Sequence, residues 1–154
     1  MFWIILVLPV GAGFWKSRIE LYFIDLSKAI EDLDDNNIIK ADVLYRRGGS
    51  YERIGEYEKS DEDLLMSLNI EPNDAYVLNY LAYSWLERDY RIDEALDMLK
   101  IAYELESNDP YIIDSIGWAY YLIEDYSKAE KFLRRAVELM PDDPIVNDHY
   151  GDIL

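Results

Sequence analysis

The side chains best suited to acid–base or metal chemistry lie close to the C-terminus. His149, the single histidine, stands beside Asp148 and three residues before Asp152. Residues three or four apart are neighbours on a helix, so an imidazole and a carboxylate here could share a proton or a metal ion. Three such residues on one short helix are weak evidence for a metal or acid–base site. The sequence also lacks cysteine, a glycine-rich phosphate loop and the G-x-S-x-G and H-E-x-x-H motifs. We therefore predict no catalytic residue, no metal site and no cofactor.

A second group of chemically useful side chains is aromatic. In residues 75–87 and again in residues 110–123, apolar positions at helical spacing define a buried face. The opposite faces carry six aromatic side chains, and aromatic residues gathered on one surface are typical of sites that bind extended or helical peptides. The predicted ligand-facing residues of these two segments are Tyr76, Asn79, Tyr80, Tyr83, Glu87, Tyr111, Asp114, Trp118 and Tyr121.

Polar residues on these faces indicate what kind of ligand would fit. Asn79 can donate to a peptide carbonyl and accept from a peptide N–H. Glu87 and Asp114 favour a partner that carries lysine or arginine. Arg46 and Arg53 lie on the same face of the preceding segment and would hold an acidic end of the partner.

Two alternatives to this interpretation stay open. Tyr83 and Tyr121 could instead pack against an adjacent unit or the N-terminal helix, although we favour the ligand-facing interpretation. The two arginines are equally suited to a solvated face, with Glu52 and Glu56 as their partners.

These faces belong to elements that repeat along the chain. Aligned against itself, the sequence gives segments that start at Ala41, Ala75, Pro110 and Pro144, at intervals of 34, 35 and 34 residues. Each of the first three holds two helical apolar patterns, with a break between them and a turn rich in Pro, Asn or Asp at its end. The period therefore predicts stacked pairs of antiparallel helices.

Small residues mark where the two helices of a pair approach closely. The eighth residue of the four segments is Gly48, Ala82, Gly117 and Gly151. A larger side chain there would hold the helices apart and open voids around their neighbours. The large apolar residues predicted to fill one complementary position are Leu64, Leu99 and Leu133.

The third segment resembles the tetratricopeptide repeat, whose pattern is W-x2-L-G-x2-Y, then A-x3-F, a small residue and a closing proline. The residues that carry the resemblance are Ile113, Ile116, Gly117, Tyr120, Ala129, Leu133, Ala136 and Pro141. The resemblance covers residues 41–154, and this part of the chain is similar to bacterial members of the family. The resemblance implies an all-α fold, a right-handed α-solenoid of antiparallel helix pairs whose first helices line a concave groove.

Some positions depart from the family pattern, and most of them weaken the first segment. Arg47 replaces a leucine, Ser60 and Ser67 replace alanines, and Ser107 replaces the closing proline of the second segment. The carboxylate clamp, with which some family members hold chaperone C-termini, needs lysine, asparagine and arginine on the first helices. The residues at those positions are Tyr45, Gly49, Tyr80, Tyr111 and Ser115. We therefore exclude a receptor for chaperone tails.

The expected organisation has an N-terminal part, three repeats and a final helix. The parts are an apolar segment at 1–15, an amphipathic helix with an acidic linker at 16–40, repeats at 41–74, 75–109 and 110–143, and a first helix without its partner at 144–154. For the last part we favour a truncated fourth repeat over a cap, because its apolar residues suit a solvating end poorly.

The N-terminal segment has three interpretations. Residues 2–15 are uncharged, but one proline and two glycines interrupt a run already shorter than the ~20 residues of a spanning helix. The first cations, Lys16 and Arg18, follow the apolar run, whereas a secretory signal has its cations first. The segment is a packed remnant of an earlier helix, an anchor or uncleaved export segment, or an artificial start.

Charge limits the partners. Fifteen basic and 32 acidic residues give a net charge of −17, which repels phosphate backbones, so we predict no binding to nucleic acid. We expect a protein or peptide partner with basic residues, and membrane contact only through residues 2–15. Composition leaves cytoplasm and periplasm open.

Two functional hypotheses follow. The first is a non-enzymatic scaffold that binds a peptide or helix of a partner protein in the aromatic concave groove. The alternative is a membrane-anchored envelope assembly factor that presents the same repeats.

Overall fold

The protein is built from α-helices joined by short turns. A computed structural model describes the backbone of residues 12–154 and the side chains of residues 21–154. The helices of this part of the chain are α1 (Ala12–Asp32), α2 (Ile38–Arg53), α3 (Tyr57–Ile70), α4 (Ala75–Leu86), α5 (Ile92–Leu105), α6 (Pro110–Leu122), α7 (Tyr126–Leu139) and α8 (Pro144–Asp152). The predicted all-α class is confirmed.

Residues 1–11, which hold most of the apolar segment, lie outside the described residues, so the three interpretations of that segment remain predictions. From residue 12 onward, no helix combines the length and the hydropathy needed to cross a membrane.

The helices stack as successive hairpins. α2 packs on α3, α4 on α5 and α6 on α7, while α1 and α8 pack on α2 and α7 at the two ends. The first helices α4, α6 and α8 also contact one another in order, which places them along one side of the stack. This is the solenoid that the 34- to 35-residue period predicts.

Side-chain caps fix where the first helices begin. Asp74, Asp109 and Asp143 each accept hydrogen bonds from the backbone N–H groups two and three residues further on, at 2.9–3.1 Å. Asn37 caps α2 in the same way, through the N–H of Ile39 at 2.8 Å. α2 therefore begins at Ile38, three residues before the start of the first predicted repeat.

The turn inside each hairpin has a left-handed backbone at one equivalent position, and the second turn has another at Arg91, with φ of 47°. The fifteenth residue of the three complete repeats is Gly55, Asp89 or Glu124, with φ of 80°, 50° and 63°. Glycine takes this conformation without strain, whereas the aspartate and the glutamate do so at a cost of ~1–2 kcal/mol. The left-handed position is thus repeated even where its residue type is not, although the second turn, residues 87–91, is longer than the other two.

The predicted close approach at the eighth position is present in the first and third hairpins. A Cβ atom added to Gly117 would lie 2.8 Å from Leu133 Cγ, and one added to Gly48 would lie 2.9 Å from Leu64 Cγ. Both leucines are completely buried. A Cβ added to Gly151, on α8, would meet no atom of the described residues within 4 Å.

An ion pair inside the first hairpin explains one departure from the family pattern. Arg47 donates to both carboxylate oxygens of Asp63 at 2.7 Å and to Ser27 Oγ at 3.0 Å. The side chain of Asp63 is only 3% exposed, and its hydrogen bond raises the pKa of Arg47. Ser67, another departure, donates to the carbonyl of Ala41 at 2.8 Å. One guanidinium therefore joins α1, α2 and α3.

The glycine contact gives a stability prediction. Gly117→Ala should lower the free energy of unfolding by about 1–3 kcal/mol, because the new methyl group overpacks against Leu133. Gly151→Ala, the matched control, should not lower it and should raise it by up to about 1 kcal/mol, because alanine is the better helix former. Urea unfolding followed by circular dichroism measures both, and equal effects of the two substitutions would contradict the tight contact.

The ion pair gives a second prediction. Asp63→Ala should cost about 3 kcal/mol of unfolding free energy, because it leaves a partly buried guanidinium without its carboxylate. The double variant Arg47→Leu/Asp63→Leu should stay within about 1 kcal/mol of the natural chain, since an apolar pair can replace a buried ion pair. The same urea titrations apply, and a double variant as unstable as the single one would refute this account.

Candidate functional site

Three adjoining hollows form a groove along the first helices, which we call the concave groove. The hollow at α2 has a volume of about 210 Å³, the central hollow about 470 Å³ and the hollow at α8 about 150 Å³. Tyr80 lines all three, and Tyr83 and Ile145 line both the central hollow and the α8 hollow. The groove is therefore continuous along α2, α4, α6 and α8.

Eight of the eleven residues predicted to face a ligand line this groove. They are Arg46, Arg53, Asn79, Tyr80, Tyr83, Glu87, Tyr111 and Asp114. Tyr76 is 55% exposed at the start of α4 and lines none of the three hollows.

Trp118 and Tyr121 lie elsewhere, contrary to our expectation. The indole of Trp118 stacks on the His149 ring, with 4.3 Å between centroids and 12° between planes, and on Tyr121 at 4.9 Å. Tyr121 lines a separate recess with Tyr126 and Ile153. Helical spacing places both residues away from the core of their own hairpin, but α8 covers that part of α6, so they take part in packing.

Tyr80 is held at the centre of the groove by its contacts with α2. Its hydroxyl donates to Glu52 Oε2 at 3.2 Å, and its ring meets that of Tyr45 edge to face at 5.7 Å. Gly49 makes room for it, because a Cβ there would lie 3.3 Å from the hydroxyl oxygen. Burial and the charge of Glu52 raise the pKa of Tyr80 to about 12, so the phenol is a neutral hydrogen-bond donor at physiological pH.

The two ends of the groove differ in charge. Arg46 and Arg53 line the hollow at α2, whereas Asp114 and Asp143 line the hollow at α8. Burial, followed by the charges of Glu87 and Asp114, raises the pKa of Tyr83, which lies toward the acidic end. The groove is therefore electrically polarised along its length.

The arginines do not use the partners that the alternative interpretation gave them. Arg46 pairs with Asp42 at 2.8 Å, in an exposed contact one helical turn away. Glu56 pairs with Lys59 at 3.0 Å, and Glu52 accepts from Tyr80.

Asp114 and His149 form a buried contact that sequence spacing did not indicate. His149 Nδ1 lies 2.8 Å from Asp114 Oδ2, and the two residues are 6% and 4% exposed. The partner of the histidine is thus an aspartate 35 residues earlier, on α6, and not Asp148 or Asp152. Within the described residues, no three His, Asp or Glu side chains converge as metal ligands.

The N-cap and the first turn of α8 are the part of the groove that sequence reasoning missed. Asp143, Ile145 and Val146 line its acidic end, and the Asp143 cap fixes their orientation. We had treated α8 as a truncated element and had not placed it beside the ligand. The Asp-Pro pair that marks its start was the available signal.

Fold and groove together define a helical-repeat protein of the solenoid class. Models of the tetratricopeptide repeat match residues 41–74 and residues 110–143. The chain belongs to the tetratricopeptide repeat family.

Two curated relatives share the repeats over part of their own length. A TPR repeat-containing protein of Pseudomonas aeruginosa is 33% identical over 110 residues, which are 71% of this chain and 18% of the relative. A lipoprotein NlpI homolog of Haemophilus influenzae is 29% identical over 126 residues, 81% of this chain and 40% of the relative. The chain thus spans less than half of either relative.

Solved structures with low sequence identity share the fold. A MamA RS-1 double mutant superposes with a TM-score of 0.76 at 19% identity, over 91% of this chain and 76% of MamA. The first TPR domain of RPAP3, bound to the HSP90 peptide SRMEEVD, superposes with a TM-score of 0.69 at 19% identity, over 76% of this chain and 92% of that domain.

The buried contact predicts how α8 is held. His149→Ala should free residues 144–152 from α6, because it removes the stack on Trp118 and leaves the buried carboxylate of Asp114 without a donor. Hydrogen–deuterium exchange should show lost protection in α8 and unchanged protection in α4 and α5. Asp148→Ala, an exposed substitution on the same helix, is the control. Equal exchange in the two variants would contradict this role of His149.

Proposed function

We propose that this protein is a non-enzymatic interaction scaffold that binds an extended peptide or a helix of a partner protein in the concave groove. The observation that carries the proposal is the row of Tyr80, Tyr83 and Tyr111 along connected hollows, with Tyr111 58% exposed. Aromatic side chains on a rigid concave surface offer large contact areas at small entropic cost.

Polar groups between the tyrosines suit a peptide backbone. Asn79 lines the α8 hollow and Ser84 the central hollow, and each has a buried oxygen atom without a hydrogen-bond partner among the described residues. A peptide offers both N–H and C=O groups to such atoms. The groove thus combines apolar contact with unmet hydrogen-bonding capacity.

The charges at the two ends of the groove would orient a bound segment. Acidic residues of a bound segment would lie toward Arg46 and Arg53, and basic residues toward Asp114 and Asp143. The RPAP3 domain holds a peptide that ends in Glu-Glu-Val-Asp, but here Tyr45, Gly49 and Tyr80 stand where the family's carboxylate clamp has its polar residues. A partner with basic residues therefore fits this groove better than a chaperone tail.

A pair of matched tyrosines tests the proposal. Twelve-residue peptides selected on the full chain by phage display serve as probes, and their dissociation constants are measured by fluorescence anisotropy. Tyr111→Ala should weaken binding tenfold or more, because an aromatic contact in a recognition site contributes about 2 kcal/mol. Tyr126→Ala, 52% exposed but outside the groove, should have no effect. Equal effects of the two substitutions, or none, would contradict groove binding.

The second candidate, a membrane-anchored assembly factor, has two observations in its favour. Residues 2–15 are uncharged, and one relative is named as a lipoprotein. In that case, the full chain should sediment with membranes and a chain that lacks residues 2–15 should not. Identical fractionation of the two chains in the soluble pool would remove this candidate and leave the scaffold proposal intact.

A further inference from the structure

Two buried side-chain oxygen atoms without a donor belong to residues that line the α8 hollow. Neither Asn79 Oδ1 nor Asp114 Oδ1 accepts a hydrogen bond from the described residues, and both side chains line the hollow. Asp114 is 4% exposed, and its other oxygen is engaged by His149 Nδ1 at 2.8 Å. A buried acceptor without a donor costs about 1–3 kcal/mol, and more when the group is charged. The hollow therefore favours a ligand that brings N–H groups.

The charge of the hollow selects among such ligands. Asp114 and Asp143 are both carboxylates, and neither lysine nor arginine is among the residues that line the hollow. A neutral amide would satisfy an oxygen but would bring no positive charge to the carboxylates of Asp114 and Asp143. A cation with several N–H groups satisfies the acceptors and the charge together.

The walls and the size of the hollow also suit a cation. Tyr80, Tyr83 and Tyr111 contribute aromatic faces, which attract ammonium and guanidinium groups by cation–π interaction. Ile145 and Val146 add apolar surface for a hydrocarbon stem. The volume of about 150 Å³ leaves room for one side chain.

We propose that the α8 hollow is a recognition site for one cationic side chain, the ammonium of a lysine or the guanidinium of an arginine, whose N–H groups donate to Asn79 Oδ1 and Asp114 Oδ1. The proposal deepens the scaffold function and rests on it to the extent that the cation arrives on a partner protein. Recognition by charge also implies that acetylation of a bound lysine blocks this contact, since the acetylated side chain is neutral.

Small molecules test the site without any peptide. The full chain, labelled with ¹⁵N, is titrated at constant ionic strength with n-butylammonium chloride, n-butylguanidinium chloride or neutral n-butanol, and the side-chain amide of Asn79 is followed by NMR. At least one cation should produce a saturable shift at Asn79, while n-butanol should produce none. The tighter of the two cations identifies lysine or arginine as the preferred source.

Two matched variants locate the interaction. Asp114→Asn should weaken cation binding tenfold or more, because it removes the charge and keeps the shape of the side chain. Asp148→Asn makes the same change in net charge on the exposed side of α8 and should leave the affinity unchanged. If Asp114→Asn disturbs the backbone signals of α8, Asn79→Leu tests the same hollow from α4 and should abolish binding.

Three results would overturn the proposal: a response to n-butanol equal to that of the cations, equal weakening by Asp114→Asn and Asp148→Asn, or no saturable shift with either cation. These outcomes are separate from the test of the scaffold. Peptide binding that depends on Tyr111 but is accompanied by no cation response would refute the cation site alone. Cation binding without any peptide binding would support the site and count against the scaffold.

Discussion

The first and third hairpins of the solenoid depend on one steric constraint, the approach of a leucine to a glycine of the facing helix. Leu133 and Leu64 reach Gly117 and Gly48 so closely that even a methyl group would overlap them. This contact sets the distance between the two helices of a hairpin, and that distance sets how successive hairpins stack. Because the stack then places α4, α6 and α8 side by side, the concave groove is a consequence of packing on the opposite side of the same helices.

The first and third repeats meet this constraint with different chemistry. In the third repeat, Ala129, Leu133 and Ala136 are fully buried and form an apolar contact with α6. In the first repeat, Arg47, Asp63 and Ser67 replace part of that contact with hydrogen bonds, and the bond to Ser27 extends them to α1. Buried polar groups are tolerated when their partners are present. Arg47 and Ser67 are therefore departures whose hydrogen-bond partners are present, whereas Ser60 is buried and its hydroxyl has no partner among the described residues.

Periodicity predicted the helices and the core, because it reports which side of each helix faces its own hairpin. Leu64, Leu99 and Leu133 are buried at equivalent positions, as the alignment of repeats required. The same argument placed Tyr80, Tyr83 and Tyr111 opposite the core, where they line the groove. It could not show which neighbour covers an outward face.

Three features could not be predicted from periodicity. Trp118 is covered by α8, and Asp114, expected at the surface, is buried against His149 from a helix 35 residues away. The left-handed positions at Asp89 and Glu124 are not glycines, so their residue types do not indicate this backbone conformation.

The carboxylate of Asp114 has two structural roles. It lines the groove, and through its contact with His149 it holds α8 against α6. A ligand that engages Asp114, as we propose, would therefore also change how firmly α8 is held, and linkage requires that each equilibrium shift the other by the same factor.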